Sequence, residues 1–520
     1  MLCGAMNKVK LMAQEDTVEK SSEGKVAVLM GCFLIFLILL GAVAVGFESA
    51  NVMSLYEVPR GEAIYMVAQE YISIAMFLAL AILLFSGYPV AFILGGLSML
   101  FGLLGYFFDV FQLIEFFNFV PRIWGMACEN LVLVAVPAFV YMGVMLERSG
   151  IANDLLYCVQ VLLRKVPGAL ALAVTVMGTI LAAMTGIIGA SVTMMTALAL
   201  PTMMRQGYSH ALSTGVIAAS GTLGILIPPS IMLIIMADLM AISVGNVFMA
   251  AIVPGLTLSA FYLIYVATLA AVKPSLAPPL PANLLNIPKG EMAPLVIKSF
   301  VPPVFLISLI KGSILFGFAT PSEAGAVGAF GATLLAAFNK RLSWDTLVSV
   351  CNTSAKTVSM IFFIVIAATC FAYVYRSLGG DDVVEHLIIE KAGLGPWGML
   401  ILVMVIVFFL GFFLDFLEIT LIVLPVFTPL IVQMDFGDHL ANADIKFWFI
   451  ILLAVNLQTS FLTPPFGFAL FYMKGIAPRE IKIQSIYKGI IPFVILQALG
   501  VITVMVFPEV ALWLMHAAYD

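Results

Sequence analysis

Apolar stretches of about 20 residues recur along this 520-residue chain from Val26 to Pro508, and they restrict its fold more than any other feature. A helix needs about 20 apolar residues to cross a bilayer. Only 10% of the residues are charged, whereas a soluble domain carries about a quarter. Strand-like alternation over about ten residues is absent, which argues against a membrane β-barrel. The sequence therefore predicts an all-α polytopic membrane protein that is surrounded by the lipid bilayer.

Composition and spacing argue against several classes of function. The net charge of −5 is spread over loops, with no basic stripe that would suit nucleic acid. The six cysteines are scattered without a CxxC pair, and the four histidines lack metal-binding spacing. The sequence contains no P-loop, zinc helix or arrangement typical of a catalytic triad. We therefore expect neither an enzyme nor a bound organic cofactor.

The amino-terminal region allows two interpretations. A basic tail over 1–25 precedes an apolar run from Val26 to Phe47, in which Ala42-Val43-Ala44 resembles a signal-peptide cleavage site. The run is long for a signal core and has the length of a membrane span. We favour a cytoplasmic tail followed by an uncleaved anchor helix and a periplasmic loop over 26–70.

The remaining apolar runs divide the chain into two halves. Spans are predicted near 26–47, 71–86, 89–107, 131–147, 209–238, 247–270, 299–317, 321–338, 357–375, 447–473 and 489–507, with helix pairs at 168–204 and 397–433. A segment rich in proline and polar residues at 273–298 is typical of a connector. The predicted organisation is a first half at 71–272, a cytoplasmic connector at 273–298, a second half at 299–508 and a carboxyl-terminal tail at 509–520.

The distribution of lysine and arginine predicts the orientation. With the amino terminus inside, 17 of the 24 basic residues lie in inner segments and five in outer segments. Basic residues are enriched in cytoplasmic loops of membrane proteins. We therefore expect a cytoplasmic amino terminus and a periplasmic carboxyl terminus in a bacterial inner membrane.

The two halves repeat one pattern. The first has a glycine-rich break at 185–191, then a Leu-Pro pair, then a small-residue segment at 221–230 that contains Pro228-Pro229. The second has a polar break at 413–418, another Leu-Pro pair, and a segment at 458–467 that contains a second Pro-Pro pair. Repetition in the same order indicates a shared architecture.

The helices that follow the first breaks are short. Ser191–Met204 spans 14 residues, about 21 Å, and Ile419–Gln433 spans 15, about 22 Å at 1.5 Å per residue. Neither comfortably crosses a core of about 30 Å. The sequence predicts two re-entrant hairpins, 168–204 and 397–433, which enter from opposite sides and make the halves inverted repeats.

Each hairpin is followed by a helix, at 209–238 and at 447–473, that a Pro-Pro pair interrupts. Proline removes a backbone donor, and bare carbonyls at such a break cannot face lipid. Paired broken helices in two halves point to a transporter binding site, where carbonyls bind a cation and helix amino termini bind an anion. The alternative is that each glycine serves close helix packing and each proline pair a kink; the repetition favours a site.

Two carboxylates lie within an apolar run at the second hairpin. Asp415 is predicted to be functional because an intramembrane carboxylate is costly; the alternative is a protonated or paired structural acid. Glu418 could carry protons, help to bind a cation or only pair locally. Lys311 and Glu323 flank another break, and we expect a structural ion pair between them.

At these residues the sequence resembles the large permease of tripartite ATP-independent periplasmic (TRAP) transporters. The resemblance covers residues 71–508, and the matching segments follow one another in the same order as in the family. The matching segments are Gly207-Tyr208, 221–230, 252–255, 320–325 and 463–467.

The resemblance implies a function and partners. Large permeases of this family work with a small membrane subunit and a periplasmic solute-binding protein, which delivers an organic acid such as a dicarboxylate, keto acid or sugar acid. Import is driven by a sodium gradient. The family resembles elevator transporters, in which a mobile domain that holds both hairpins slides against a fixed scaffold domain. The one extra helix at 26–70 does not supply a small subunit of four helices, so a separate one is expected.

The resemblance also implies the site residues. The expected sodium ligands are Gly186, Gly189, Ser191, Gly221, Thr222, Gly224, Asp415, Thr459, Thr463 and Pro464. The expected substrate contacts are Ser191, Pro228, Pro229 and Pro465. The tip sequence at 185–191 departs from the family's commoner Ser-Gly-Ser form, so the substrate class is left open. The alternative functions are a stand-alone ion-coupled anion carrier and, more remotely, a membrane-embedded enzyme.

Overall fold

A computed structural model describes residues 60–84, 86–186, 188–279, 289–386, 393–464 and 467–519. Helices, turns and bends account for the regular structure of these residues, and no strand occurs among them. The predicted all-α class is thereby confirmed. The predicted anchor helix at 26–47 lies outside the described residues.

The amino-terminal half is a series of helices joined by short turns. In chain order they are α1 (Arg60–Leu84), α2 (Val90–Phe107), α3 (Phe119–Ile123), α4 (Ala135–Arg148), α5 (Ile151–Leu162), α6 (Ala169–Thr185), α7 (Ile188–Arg205), α8 (His210–Thr222), α9 (Ile231–Leu239) and α10 (Val244–Val272). A 3-10 helix at Leu113–Asn118 and a π-helical turn at Trp124–Cys128 flank α3.

The carboxyl-terminal half continues in the same way. Its helices are α11 (Lys289–Ser299), α12 (Val301–Leu315), α13 (Pro321–Phe338), α14 (Trp344–Ser377), α15 (Gly380–Glu385), α16 (Pro396–Leu410), α17 (Phe416–Gln433), α18 (Ile445–Leu462), α19 (Phe468–Ile476), α20 (Ile483–Val506) and α21 (Glu509–Tyr519). The last of these forms where a tail was expected.

By length and composition, eight helical segments of the described chain could cross a membrane. The predicted spans agree with the helices to within a few residues in most cases, including 89–107, 247–270 and 321–338. The largest difference is at 357–375, where α14 begins at Trp344. The extra turns carry polar residues, which a search for apolar runs does not count.

The chain forms two compact units. Within the described part of the chain, the smaller lies within 60–126 and 364–393, and the larger lies within 127–363 and 394–519. In the smaller unit the Ser73 hydroxyl donates to the carbonyl of Leu378 at 2.7 Å, and the guanidinium of Arg122 lies 4.4 Å from the ring centre of Tyr373. The larger unit contains both predicted hairpins and both predicted broken helices.

Candidate functional site

The first hairpin turns within two residues. Helix α6 ends at Thr185 and α7 begins at Ile188. Gly186 has a φ of +60°, which a residue with a side chain rarely adopts. A Cβ atom at Gly186 would lie 3.3 Å from the backbone nitrogen of Ile231. The tip of this hairpin therefore rests against the first residue of α9.

The first broken helix is interrupted between α8 and α9. A 3-10 turn follows Thr222, and Pro228 and Pro229 are joined by a cis peptide bond. Ser230 closes the break, since its hydroxyl donates to the carbonyl of Ile225 at 2.6 Å and accepts from the backbone N–H of Leu233 at 3.4 Å. The whole break is buried. Its backbone groups are thus enclosed by protein, as the sequence predicts for a break that cannot face lipid.

The second hairpin places both carboxylates at the start of α17. The Asp415 carboxylate accepts from the backbone N–H of Phe416 at 2.8 Å, and the Glu418 carboxylate accepts from the backbone N–H of Asp415 at 3.2 Å. The Asp415 side chain also accepts from the backbone N–H of Glu418, so Asp415 and Glu418 form a capping box. Glu418 takes the local pairing that the sequence left as one of three roles.

The second broken helix is interrupted between α18 and α19. The Thr463 hydroxyl donates to the carbonyl of Thr459 at 2.6 Å, and the Thr459 hydroxyl donates to the carbonyl of Val455 at 3.3 Å. Gly467 has a φ of +55° just before α19. Pro465, an expected substrate contact, lies outside the described residues.

Each hairpin packs on the first part of its own broken helix. Val192 of the first hairpin is in contact with Gly221, where a Cβ atom would lie 2.6 Å from the Val192 side chain. In the second hairpin Gly411 is packed against the Ser460 side chain, and the Asn456 amide donates to the carbonyl of Met404 at 2.7 Å. Glycines at both contacts allow the helices to approach closely.

The second part of each broken helix packs on the opposite hairpin. Helix α9 packs on α17, and α19 packs on α7. Two halves related by a two-fold axis would produce this exchange of partners. It brings both tips and both breaks into one region of the larger unit.

Tyr472 is a residue of this region that the sequence did not predict. A Cβ atom at Gly189 would lie 3.0 Å from the Tyr472 ring, and the phenol interacts electrostatically with Asp415 and Glu418. The tyrosine therefore packs on the first tip and lies within electrostatic range of the second. In the sequence, Tyr472 could have been noticed because it lies eight residues after the predicted ion ligand Pro464, on the far side of the proline pair.

The predicted neutral ligands are distributed over both breaks. Ser191, Thr222 and Thr459 are buried, and Gly221 and Gly224 are buried with them. The hydroxyls of Thr222 and Thr459 both donate to carbonyls of their own helices. Each hydroxyl therefore uses its proton within its own helix, and its oxygen keeps the capacity to accept.

The expected ion pair of Lys311 and Glu323 is wrong. The Glu323 carboxylate instead accepts from the backbone N–H of Thr320 at 2.8 Å, in a second capping box. Within the described part of the chain Glu323 has no ion pair with Lys311. The capping box is favoured over the ion pair because it does not require a long lysine side chain to become ordered.

Comparison with protein families gives one extended match. Residues 77–510 match the family model described as the DctM component of tripartite ATP-independent periplasmic transporters.

Individual relatives are similar over most of their length. The chain is 29% identical over 389 residues to the C4-dicarboxylate TRAP transporter large permease protein DctM of Pseudomonas aeruginosa, which covers 74% of this chain and 86% of that protein. It is 28% identical over 373 residues to the 2,3-diketo-L-gulonate TRAP transporter large permease protein YiaN of Escherichia coli, with 71% and 82% covered.

A solved transporter structure has a similar fold. The Alcanivorax borkumensis YdaH transporter superposes with a TM-score of 0.54 at 13% identity, covering 78% of this chain and 89% of that one. At this identity the similarity concerns the fold alone.

Proposed function

Because this chain belongs to the DctM component family of tripartite ATP-independent periplasmic transporters, we propose that it is the large membrane subunit of a sodium-driven importer of organic acids. It works with a small membrane subunit and a periplasmic solute-binding protein. It lies in a bacterial inner membrane, with a cytoplasmic amino terminus and a periplasmic carboxyl terminus.

The observation that carries the proposal is the meeting of two helix breaks, the first buried and the second half-buried at Thr463 and Pro464, with two hairpin tips. Such breaks present carbonyl and hydroxyl oxygens without the cost of a fixed charge, and these are the groups that replace water around sodium. The carboxylate of Asp415 adds the negative charge that a bound cation favours. Sodium therefore binds at Gly186–Ser191 with Gly221–Gly224, and at Asp415 with Thr459–Pro464.

An anionic substrate is supported by the amino terminus of α9. The backbone N–H groups at this helix end carry partial positive charge, and the tip at Gly186 lies against it. We assign Ser191, Pro228 and Pro229 to the substrate side. The relatives named for C4-dicarboxylate and 2,3-diketo-L-gulonate carry acids, so an organic acid is the substrate class.

Sodium couples to transport through ordering of the tips. Sodium binds first, fixes both breaks and so raises the affinity for the acid, because a ligand shifts a conformational equilibrium by its differential affinity. The hairpins and broken helices then move together as the mobile part of an elevator.

The test is uptake into proteoliposomes that contain this chain and its small subunit, with the binding protein and radiolabelled acids outside. A thermal-shift screen on the binding protein first selects the acid. We expect uptake under an inward sodium gradient and none under an equal choline gradient. Uptake independent of sodium would refute the coupling, and full uptake without the binding protein would identify a stand-alone carrier.

Gly189→Leu is expected to lower uptake about tenfold while leaving the protein folded. The leucine displaces the Tyr472 ring, and overpacking typically costs about 1–3 kcal/mol. The measurement is initial uptake rate at saturating sodium. Gly475→Leu on the same helix as Tyr472 is the control, since a Cβ atom there would meet nothing within 4 Å.

The double variant Gly189→Leu with Tyr472→Ala tests the physical cause. Removing the ring makes room for the leucine, so we expect part of the lost rate to return. A double variant slower than both single variants would show that the ring and Gly189 act independently.

A further inference from the structure

A buried group of polar side chains lies beside the first helix break. Gln497 of α20, Thr222 at the end of α8 and Tyr262 of α10 all have 0% of their surface exposed. Buried polar groups in an apolar protein are costly unless they are paired. Their concentration next to an expected ion ligand requires an explanation.

Thr222 is held from two directions. Its hydroxyl donates to the carbonyl of Ala219 at 2.9 Å, and the side-chain nitrogen of Gln497 faces the same hydroxyl oxygen at 3.5 Å. The proton of the hydroxyl is thus committed to its own helix. One lone pair of the oxygen faces the amide, and the other is left for a further partner.

Gln497 is itself oriented by its surroundings. The Tyr262 hydroxyl lies near the Gln497 side chain, and the Tyr262 ring packs edge-on against Phe493, one turn before Gln497, with centres 5.4 Å apart. Among the described residues, neither the oxygen of the Gln497 amide nor the Tyr262 hydroxyl makes a hydrogen bond of good geometry. The Gln497 amide is therefore buried with only its nitrogen paired, to Thr222.

Helix α20 is fixed against both broken helices. It packs on α8 and on α18, and the indole N–H of Trp448 in α18 donates to the carbonyl of Val504 at 2.8 Å. The Gln497 side chain is thus delivered to Thr222 from a rigid support.

We propose that Gln497 is a positioning residue for sodium at the first break. Its amide nitrogen holds the Thr222 hydroxyl oxygen so that the free lone pair faces the ion, and Tyr262, packed beside the amide, limits how the amide can turn. This inference rests on the proposed sodium site at Gly221–Gly224. Gln497 does not touch the ion.

The experiment measures the sodium dependence of uptake in Gln497→Met, which keeps the length of the side chain and removes its hydrogen bonds. We expect the sodium concentration for half-maximal uptake to rise about five- to tenfold, the effect of one lost hydrogen bond. The rate at saturating sodium stays within twofold of the unmodified protein. Tyr262→Phe, which removes one oxygen, raises the half-maximal concentration about twofold by the same reasoning.

The control is Gln160→Met. Gln160 in α5 is also buried, with 5% of its surface exposed and an amide nitrogen that has no partner among the described residues. We expect no change in its sodium dependence. Equal shifts in the Gln160 and Gln497 variants, or a lower maximal rate without a shift, would overturn the positioning role.

Two further outcomes separate this inference from the proposed function. Sodium-dependent uptake in the unmodified protein with an unshifted Gln497→Met variant overturns the inference alone, whereas sodium-independent uptake in the unmodified protein overturns the proposed coupling. If Gln497→Met does not fold, the Tyr262→Phe variant tests the inference instead. An unchanged half-maximal sodium concentration in that variant overturns the inference.

Discussion

Replacing Asp415 by asparagine is expected to remove sodium-driven uptake while the protein remains folded. Asparagine keeps an oxygen that can accept from Phe416, so the cap of α17 is retained. The charge is lost, and losing a charged partner of a buried ion costs about 2–3 kcal/mol, which corresponds to about 30- to 150-fold. The measurement is the initial rate of uptake against sodium concentration in proteoliposomes.

The second capping box provides the control. Glu323→Gln makes the same change of carboxylate to amide at the Thr320–Glu323 box, outside the region where the tips meet. We expect its uptake to remain within about twofold, since surface charge changes rarely exceed about 0.5 kcal/mol. Equal sodium activation in Asp415→Asn and the unmodified protein would show that Asp415 serves only as a cap.

Gly489→Ala is expected to destabilise the protein severely. Helices α8 and α20 cross at Gly215 and Gly489, where a Cβ atom at Gly489 would meet the backbone carbonyl of Ala211 and lie 3.0 Å from the Thr214 hydroxyl. A backbone carbonyl cannot rotate away as a side chain does. We expect a loss of about 3 kcal/mol, at the upper end for overpacking.

The measurement is the yield and melting temperature of monodisperse protein in detergent. Gly96→Ala is the matched control, because it also lies within a helix and a Cβ atom there would meet nothing within 4 Å. We expect that variant to match the unmodified protein. A Gly489→Ala protein as stable as Gly96→Ala would mean that α8 and α20 are further apart than the structure shows.

Much of the fold is predictable because lipid imposes a simple rule. Helices such as α2 and α13 begin and end where the apolar runs do, within a residue or two. Both helix breaks are also found at their proline pairs, since proline cannot donate to the preceding turn. The short helix α5 was missed because its 12 residues do not reach the length of a span.

The helices after the two tips are longer than predicted. Each has 18 residues, as α7 and α17, where the sequence suggested 14 and 15. Each begins three residues earlier than predicted, at Ile188 and Phe416. In α17 the reason is the capping box of Asp415 and Glu418, which starts the helix directly after Asp415. The re-entrant path of the hairpins remains a prediction.

The site is only partly readable from the sequence. Asp415 and Thr222 could be predicted because each lies at a helix break, and a break is visible in the local sequence. Tyr472 and Gln497 were missed because their relevance depends on contacts between helices distant in sequence. No local pattern distinguishes Gln497 from Gln160, and only packing does.

The exchange of partners between the halves has a consequence for how the protein can be divided. Helix α9 of the first half leans on α17 of the second, and α19 of the second leans on α7 of the first. Neither half contains all the helices that line the proposed ion and substrate sites, so a fragment that ends in the connector would leave α7 and α9 without their partners from the second half. We therefore expect separately expressed halves to transport only when both are present in the same membrane.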